Sequence, residues 1–285
     1  MPDRAIGNTP LIQLGGNLYA KAEFQNPTGS VKDRAALQLL LDAQARGLLS
    51  PGGTVIEATS GNMGISLAYL CRQKGYRCII VMPDSMTAER RQRMAYYSAE
   101  VVLTSGADGM TGAVEAATGL AREIPGSFLP KQFENPANAM AHYRTTGQEI
   151  WAQSGGKIDL FVTGVGTGGT ITGIARYLKE KNPSIRVIAV EPESSPVLSG
   201  GKPGSHGIQG IGANFVPAIL DRSLLDGVIA VSDADAFAAA RELKHVGISA
   251  GANVHAARML AAQNPEKTVV TILPDSSDRY TSLGL

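Results

Sequence analysis

Gly164-Val165-Gly166-Thr167-Gly168-Gly169-Thr170 follows an apolar run at 159–163 and opens a stretch of helical periodicity at 170–182. A glycine-rich loop between a buried strand and a helix is typical of α/β folds, in which amides at the helix start bind phosphate. The same alternation recurs along the chain. Strands are predicted at 54–57, 77–82, 101–104, 159–163, 186–190, 227–231 and 268–273. Helices are predicted at 33–46, 64–74, 88–98, 109–123, 138–154, 170–182, 234–246 and 252–264.

Most of these strands are apolar throughout, as strands covered on both faces are. Their alternation with helices predicts a mainly parallel sheet, or two such sheets. The pair Gly155-Gly156 is the clearest break in composition. It is a candidate boundary between two α/β halves with an active site in the cleft between them.

The composition is that of an ordinary globular protein. Because the formal net charge is only +1, no overall field draws the chain to nucleic acid or to an anionic membrane. We find no apolar run long enough to span a bilayer and no signal peptide. Cys71 and Cys78 are too few for a zinc site, and Cys78 lies in an apolar strand. A reducing, cytoplasmic location and no metal are expected.

A lysine lies in the short polar turn Asn26-Pro27-Thr28-Gly29-Ser30-Val31-Lys32-Asp33-Arg34, just before the first predicted helix. A helix N-terminus carries partial positive charge, so it disfavours the ammonium form and makes the neutral amine easier to reach. A neutral amine forms Schiff bases with carbonyl compounds or removes protons from carbon. Lys32 is therefore a candidate catalytic residue, and the alternative is a solvated surface charge.

A second loop, Ala58-Thr59-Ser60-Gly61-Asn62-Met63-Gly64, also joins a strand to a helix. Its amides and the side chains of Thr59, Ser60 and Asn62 suit an anion such as a substrate carboxylate. The alternative is a simple N-cap, for which all three residue types are preferred.

The loop that follows 159–163 satisfies the dinucleotide pattern G-x-G-x-x-G through Gly164, Gly166 and Gly169. Glu191 follows the next strand, where a dinucleotide-binding fold places its ribose-binding acid, so a nicotinamide cofactor stays open. The hydroxyls of Thr167 and Thr170 suit a phosphate monoester better.

Two further groups of residues complete the candidates. Ser249 precedes the last helix and would offer a neutral hydroxyl to a ligand, or serve as an N-cap. The four histidines are predicted to be surface or helix residues rather than catalysts: His142, His206, His245 and His255.

A lysine, a monophosphate loop and a carboxylate loop together suggest pyridoxal 5'-phosphate (PLP) acting on an amino acid. The sequence resembles the cysteine synthases (O-acetylserine sulfhydrylases), within the tryptophan-synthase-β-like (fold type II) PLP enzymes. The resemblance covers nearly the whole chain, and the lysine turn, the Thr59-Ser60-Gly61-Asn62 loop and the Gly166–Thr170 loop occur in the family's order. Glu89-Arg90-Arg91 and the run 142–147 resemble the B-type isozyme, whereas 195–201 with 208–212 resembles the A-type.

The resemblance implies a role for each candidate residue. Lys32 would form the internal aldimine and act as general base on the α-proton. Asn62 would hydrogen-bond the cofactor's phenolic oxygen, and Ser249 would face its pyridine nitrogen. The cofactor's phosphate would be held by Gly166, Thr167, Gly168, Gly169 and Thr170. The substrate would be bound by Thr59, Ser60, Asn62, Met63 and Gln132.

The implied reaction is a β-replacement that makes L-cysteine from O-acetyl-L-serine and sulfide through an aminoacrylate intermediate. A neutral serine at the pyridine nitrogen fits, because a weaker electron sink favours β-elimination over transamination. O-Phosphoserine or serine as donor, and thiosulfate or homocysteine as nucleophile, stay open. So do a nicotinamide dehydrogenase and a non-catalytic relative that binds a partner.

The resemblance also implies an α/β fold of two three-layer α/β/α domains, with mainly parallel twisted sheets and PLP in the cleft between them. Residues 35–140 would form a smaller, mobile domain, and 1–34 with 141–285 a larger PLP-binding domain. A homodimer is expected, with serine acetyltransferase as a candidate partner and with neither nucleic acid nor membrane.

One residue departs from the family pattern. Met63 stands where the family usually has threonine, and a thioether cannot donate a hydrogen bond. Carboxylate binding is expected to continue through the backbone amide, with lower affinity or altered selectivity.

Overall fold

A computed structural model describes residues 5–86 and 88–285, except for the side chains of residues 88 and 89. The Glu89 side chain of the B-type sequence therefore lies outside the described residues. The described strands are β1 (Leu11–Gly15), β2 (Leu18–Ala22), β3 (Thr54–Ala58), β4 (Arg77–Pro83), β5 (Glu100–Thr104), β6 (Leu160–Gly164), β7 (Arg186–Pro192), β8 (Gly227–Val231) and β9 (Val269–Leu273). The described helices are α1 (Lys32–Ala45), α2 (Asn62–Lys74), α3 (Ala88–Tyr96), α4 (Gly109–Glu123), α5 (Ala137–Ala141), α6 (Gly147–Gln153), α7 (Gly169–Lys181), α8 (Asp233–Leu243) and α9 (Ile248–Gln263).

The chain divides into two compact units. Unit 1 consists of Lys32–Ala137 and the N-terminal residues that end at Ile6, and unit 2 of Gly7–Val31 and Asn138–Leu285. The domain boundaries that the resemblance implies, 35–140 and 1–34 with 141–285, stay a prediction, and Ile6 here groups with unit 1. The mobility of the smaller domain stays a prediction.

Unit 2 contains a sheet of strand order β1-β2-β9-β6-β7-β8, in which the β1–β2 pair is antiparallel and the other pairs are parallel. Alternate side chains of its strands point to opposite faces. Val162 on β6 packs with helices α8 and α9 in one apolar cluster. Its neighbour Phe161 packs with α6 and α7 in another. Unit 2 is therefore a three-layer α/β/α structure.

Unit 1 contains the all-parallel sheet β3-β4-β5. Ile80 on β4 packs with helices α1 and α2, whereas Ile79 and Val81 pack with α4 on the other face. The prediction of an α/β fold with mainly parallel sheets is confirmed. In the part of the chain that the structure describes, no helix is long and apolar enough to cross a membrane.

Two features of the fold were not predicted. The hairpin β1–β2 had no predicted counterpart. The helix predicted at 138–154 is interrupted by a π-helix, His142–Thr146, between α5 and α6.

Candidate functional site

The glycine-rich loop of unit 2 connects β6 to α7. Gly168 is the N-cap of α7 and has a left-handed backbone, with φ +83° and ψ −13°. A Cβ on Gly168 would lie 2.8 Å from the Cβ of Leu220, and one on Gly166 would lie 2.3 Å from the carbonyl oxygen of Gly210. The loop therefore requires glycine at both positions. It presents the first amides of a helix, a geometry that binds anions.

Two side chains that were not predicted as site residues hold this loop. Asn138 Nδ2 donates to Thr167 Oγ1 at 3.0 Å, and a Cβ on Gly169 would lie 2.2 Å from Asn138 Oδ1. His142 is buried, and its Nε2 lies 3.3 Å from Thr170 Oγ1. The expectation that His142 is an ordinary helix residue missed this contact. Its spacing of four from Asn138 puts both on one helix face, which is the signal that the sequence offered.

Ser249 lies in the first turn of α9 and is buried. The N-cap of this helix is Gly247, without a side-chain capping bond, so the alternative of Ser249 as N-cap is wrong. A Cβ on Gly210 would lie 3.4 Å from Ser249 Oγ. Its approach to the pyridine nitrogen stays a prediction.

The lysine turn is fixed by the C-terminal segment of unit 2. Arg279, which is buried, donates from Nη1 to the carbonyl oxygen of Gly29 at 2.9 Å and from Nη2 to that of Thr28. The amide of Val31 donates to Pro274 O at 2.8 Å. The backbone that leads into Lys32 is therefore held on two sides.

Lys32 is the first residue of α1 and is partly buried. The next residue, Asp33, is fully buried and accepts a hydrogen bond from Ser66 Oγ at 2.6 Å. This bond joins the start of α1 to α2, the helix that begins at Asn62.

The predicted carboxylate loop leads into α2, whose N-cap is Gly61 without a side-chain capping bond. The alternative of Thr59, Ser60 or Asn62 as the N-cap is therefore wrong. Thr59 Oγ1 accepts from the Gly61 amide at 3.2 Å, and Arg90 Nη1 donates to Ser60 O at 2.8 Å. Both contacts hold the loop at the helix start.

Met63 and Gln132 complete the predicted substrate residues. Met63 is only 1% exposed and lies in the apolar cluster of unit 1, so its side chain packs in the core. Gln132 is buried, and its backbone amide contacts the carboxylate of Glu57. The predicted site residues fall in both units. Unit 1 contains the predicted lysine and substrate residues: Lys32, Thr59, Ser60, Asn62, Met63 and Gln132. Unit 2 contains the other predicted cofactor residues: Gly166, Thr167, Gly168, Gly169, Thr170 and Ser249. Their individual roles stay predictions.

Two features of unit 2 bear on the cofactor: the contacts of Glu191 and the glycine-rich loop. The Glu191 carboxylate is buried and accepts bonds from the Leu198 amide at 2.7 Å and from the Ser199 amide at 3.2 Å. It therefore holds a loop, which argues against a ribose-binding acid. Within the described residues, no group of three or more His, Cys, Asp or Glu side chains is placed to hold a metal. We call the glycine-rich loop from Gly166 to Thr170 the glycine cradle. Its glycines and the hydroxyls of Thr167 and Thr170 fit a phosphate monoester such as that of PLP.

Comparisons with known proteins identify the family. The chain is 48% identical over 287 residues to cysteine synthase B of Campylobacter jejuni, covering 98% of this chain and 96% of that protein. The solved cysteine synthase of Entamoeba histolytica has a TM-score of 0.95 and 41% identity, covering 99% of this chain and 89% of that one. An O-acetylserine dependent cystathionine beta-synthase from Helicobacter pylori has a TM-score of 0.93 and 41% identity, covering 99% and 97%.

The resemblance to cysteine synthases is thus confirmed, and the open alternatives of a nicotinamide dehydrogenase and a non-catalytic relative that binds a partner lose their support. The family model described as "Pyridoxal-phosphate dependent enzyme" matches residues 3–275. This chain belongs to the family of pyridoxal-phosphate dependent enzymes.

Proposed function

We propose that the protein is a cysteine synthase, which makes L-cysteine and acetate from O-acetyl-L-serine and sulfide. The observation that carries the proposal is the 48% identity to cysteine synthase B over 98% of the chain. The glycine cradle and the lysine turn of this chain support it, because each supplies a part that a PLP-dependent β-replacement needs.

The cofactor-binding residues follow from the cradle. The amides of Gly168, Gly169 and Thr170, with the hydroxyl of Thr167, would bind the phosphate, and Ser249 would face the pyridine nitrogen. When bound, pyridoxal phosphate supplies a conjugated ring that accepts the electron pair left at the substrate's α-carbon. A serine hydroxyl places no negative charge at that ring, which favours elimination at the β-carbon over transamination.

The substrate-binding residues lie at the start of α2 and in the segment that contains Gln132. The helix N-terminus attracts the substrate carboxylate, and the hydroxyls of Thr59 and Ser60 donate to it. Asn62 is proposed to contact the cofactor's phenolic oxygen. Lys32 Nζ, as the Schiff-base amine and general base, moves the proton at the substrate's α-carbon. Because the Met63 side chain is buried, Met63 would bind the substrate carboxylate only through its backbone amide.

A second candidate is a β-replacement with homocysteine as nucleophile. The similarity to the Helicobacter pylori O-acetylserine dependent cystathionine beta-synthase, at 41% identity and a TM-score of 0.93, favours it over the other nucleophiles. The donor is the same in both candidates, so only the nucleophile separates them.

Steady-state kinetics of the PLP-loaded protein test both candidates. O-Acetylserine, O-phosphoserine and serine are compared as donors with sulfide, and then sulfide, thiosulfate and homocysteine as nucleophiles with the best donor. The highest kcat/KM is expected for O-acetylserine with sulfide. A higher value for homocysteine would establish the second candidate, and a preference for phosphoserine would refute both.

We further propose a cytoplasmic location, in keeping with the two free, buried thiols Cys71 and Cys78. We also propose a homodimer, which the resemblance to the cysteine synthases implies. Light scattering of the purified protein tests the dimer. Gel filtration of a mixture with serine acetyltransferase tests the proposed partner. Elution of both proteins at their separate positions would exclude a stable complex.

A further inference from the structure

The chain beyond Phe128 leaves the edge of the unit 1 sheet at a defined point. Phe128 pairs with β3 as in a parallel ladder: its amide donates to Thr54 O at 2.8 Å, and its carbonyl accepts from the Ile56 amide at 2.9 Å. The next ladder bond would require the amide of Pro130, and proline has no N–H group. The backbone pairing therefore ends at this residue.

The Glu57 side chain takes over where the ladder ends. Its Oε2 accepts from the Lys131 amide at 3.0 Å, and its Oε1 contacts the Gln132 amide at 3.4 Å. Lys131 has φ +52°, a conformation that non-glycine residues adopt only rarely. One carboxylate thus holds two successive amides of a chain that turns sharply away from the sheet.

We propose that Glu57 is a positioning residue that sets the place of Gln132 for the amino-acid substrate. The inference deepens the proposed function and rests on it, because it takes Gln132 as a substrate contact. Glu57 is 4% exposed and Gln132 is 6% exposed, so the carboxylate acts from inside the unit and reaches substrate only through the segment that it holds.

We call the hold of the Glu57 carboxylate on the backbone amides of Lys131 and Gln132 the clamp. The clamp depends on the charge of Glu57. An ionised carboxylate accepts strongly on both oxygens, one for each N–H donor, whereas protonation makes one oxygen a hydroxyl, which donates and accepts only weakly. Burial, with a smaller contribution from repulsion by Glu134, raises the pKa of Glu57 from 4.5 to about 7 against the lowering effect of the two amides. Of the groups around it, Lys131 pairs with Glu134 at 3.5 Å, and the neighbour on β4 is the apolar Ile80. The clamp is therefore tightest above neutral pH.

Hydrogen exchange tests the clamp without substrate. The protection factors of the Lys131 and Gln132 amides are measured in the PLP-loaded wild-type protein at pH 6 and pH 8, with intrinsic rates corrected. Protection is expected to rise with pH at these two amides, while the Phe128 amide, bonded to a backbone carbonyl, stays constant. Exchange of the two amides at their intrinsic rates at pH 8 would refute the clamp, and this measurement needs no variant to fold.

Kinetics of two variants test the positioning. Glu57→Gln keeps one acceptor and turns an amide donor against the second N–H, so the KM for the amino-acid substrate should rise roughly tenfold with kcat within about twofold. In the wild-type protein, KM should rise as the pH falls below about 7 and Glu57 takes up a proton. This rise should be absent in Glu57→Gln. Glu134→Gln removes an exposed carboxylate from the same segment and should keep the wild-type KM, with the acid-side rise moved to lower pH.

Three results would overturn the inference: an unchanged KM in Glu57→Gln, an equal loss in both variants, or a fall in kcat alone. The last would do so because a positioning role for Gln132 predicts a binding effect. Absence of turnover in the wild-type protein would refute only the proposed function, since amide protection measures the clamp independently of the reaction.

Discussion

Replacing Glu57 by Gln should change how the free energy of unfolding depends on pH. Because burial raises the pKa of this carboxyl from 4.5 to about 7, the native state binds the proton more tightly than the unfolded chain does. At 1.36 kcal/mol per pH unit, the difference is worth about 3 kcal/mol. This stabilisation is fully present below pH 4.5 and is lost as the pH rises through about 7. A neutral Gln carries no such dependence.

The assay is urea unfolding of wild type and variant between pH 5 and pH 8, with two-state behaviour checked by coincident circular dichroism and tryptophan fluorescence. Relative to wild type, Glu57→Gln should gain about 2.5 kcal/mol in the free energy of unfolding on going from pH 5 to pH 8. The Glu134 side chain is 66% exposed, and Glu134→Gln should keep the wild-type dependence on pH, with its midpoint moved slightly to lower pH because the repulsion of Glu57 is removed. A constant difference between Glu57→Gln and wild type, or a variant whose free energy of unfolding falls relative to wild type on going from pH 5 to pH 8, would refute the reasoning.

The remaining predictions concern the cofactor and the core. Lys32→Ala should abolish turnover with an unchanged circular dichroism spectrum, and borohydride reduction followed by peptide mapping should label Lys32 and no other lysine. Gly168→Val should lower PLP affinity in equilibrium dialysis, because a Cβ would lie 2.8 Å from Leu220 in a left-handed backbone; unchanged affinity would assign the loop to another ligand. Ser249→Asp should favour a protonated cofactor ring, which would shift the absorbance spectrum and slow β-elimination; an unchanged spectrum and rate would place Ser249 elsewhere. Met63→Thr should destabilise the protein by about 2 kcal/mol in urea, because it shortens a side chain that is 1% exposed and buries a hydroxyl; a lower KM without loss of stability would contradict this packing.

The parallel strands could be predicted because they are apolar on both faces. Strand β2 could not, because Lys21 interrupts it and is nevertheless fully buried. Its Nζ pairs with Glu149 at 2.7 Å and bonds to Gln153 Oε1 at 2.8 Å. A lysine is buried in a strand only when such partners exist, and these lie more than a hundred residues away in the sequence. The local sequence pattern therefore argues against a strand at β2, and the strand forms because distant residues pair with Lys21.

The glycine-rich loop between β6 and α7 could be singled out from the sequence because steric limits fix its residue types. Gly166 and Gly168 each face a neighbouring atom that leaves no room for a Cβ. The residues behind the loop could not be predicted in the same way. Asn138 and His142 are common in ordinary helices, and the π-helix that begins at His142 has no clear signature in the sequence.

Two buried glutamates show why an acid near the end of an apolar strand is ambiguous in a sequence. Glu57 and Glu191 are each the second-last residue of a parallel strand, β3 and β7, and each is buried. The pattern for a ribose-binding acid selects Glu191, yet its carboxylate holds the amides of 198 and 199, as that of Glu57 holds those of 131 and 132. A carboxylate offers acceptors on two oxygens, whereas a backbone carbonyl offers only one oxygen, so it can hold two successive amides after the sheet pairing ends. At both strand ends the acid fixes a loop, and in β3 that loop contains a proposed substrate residue.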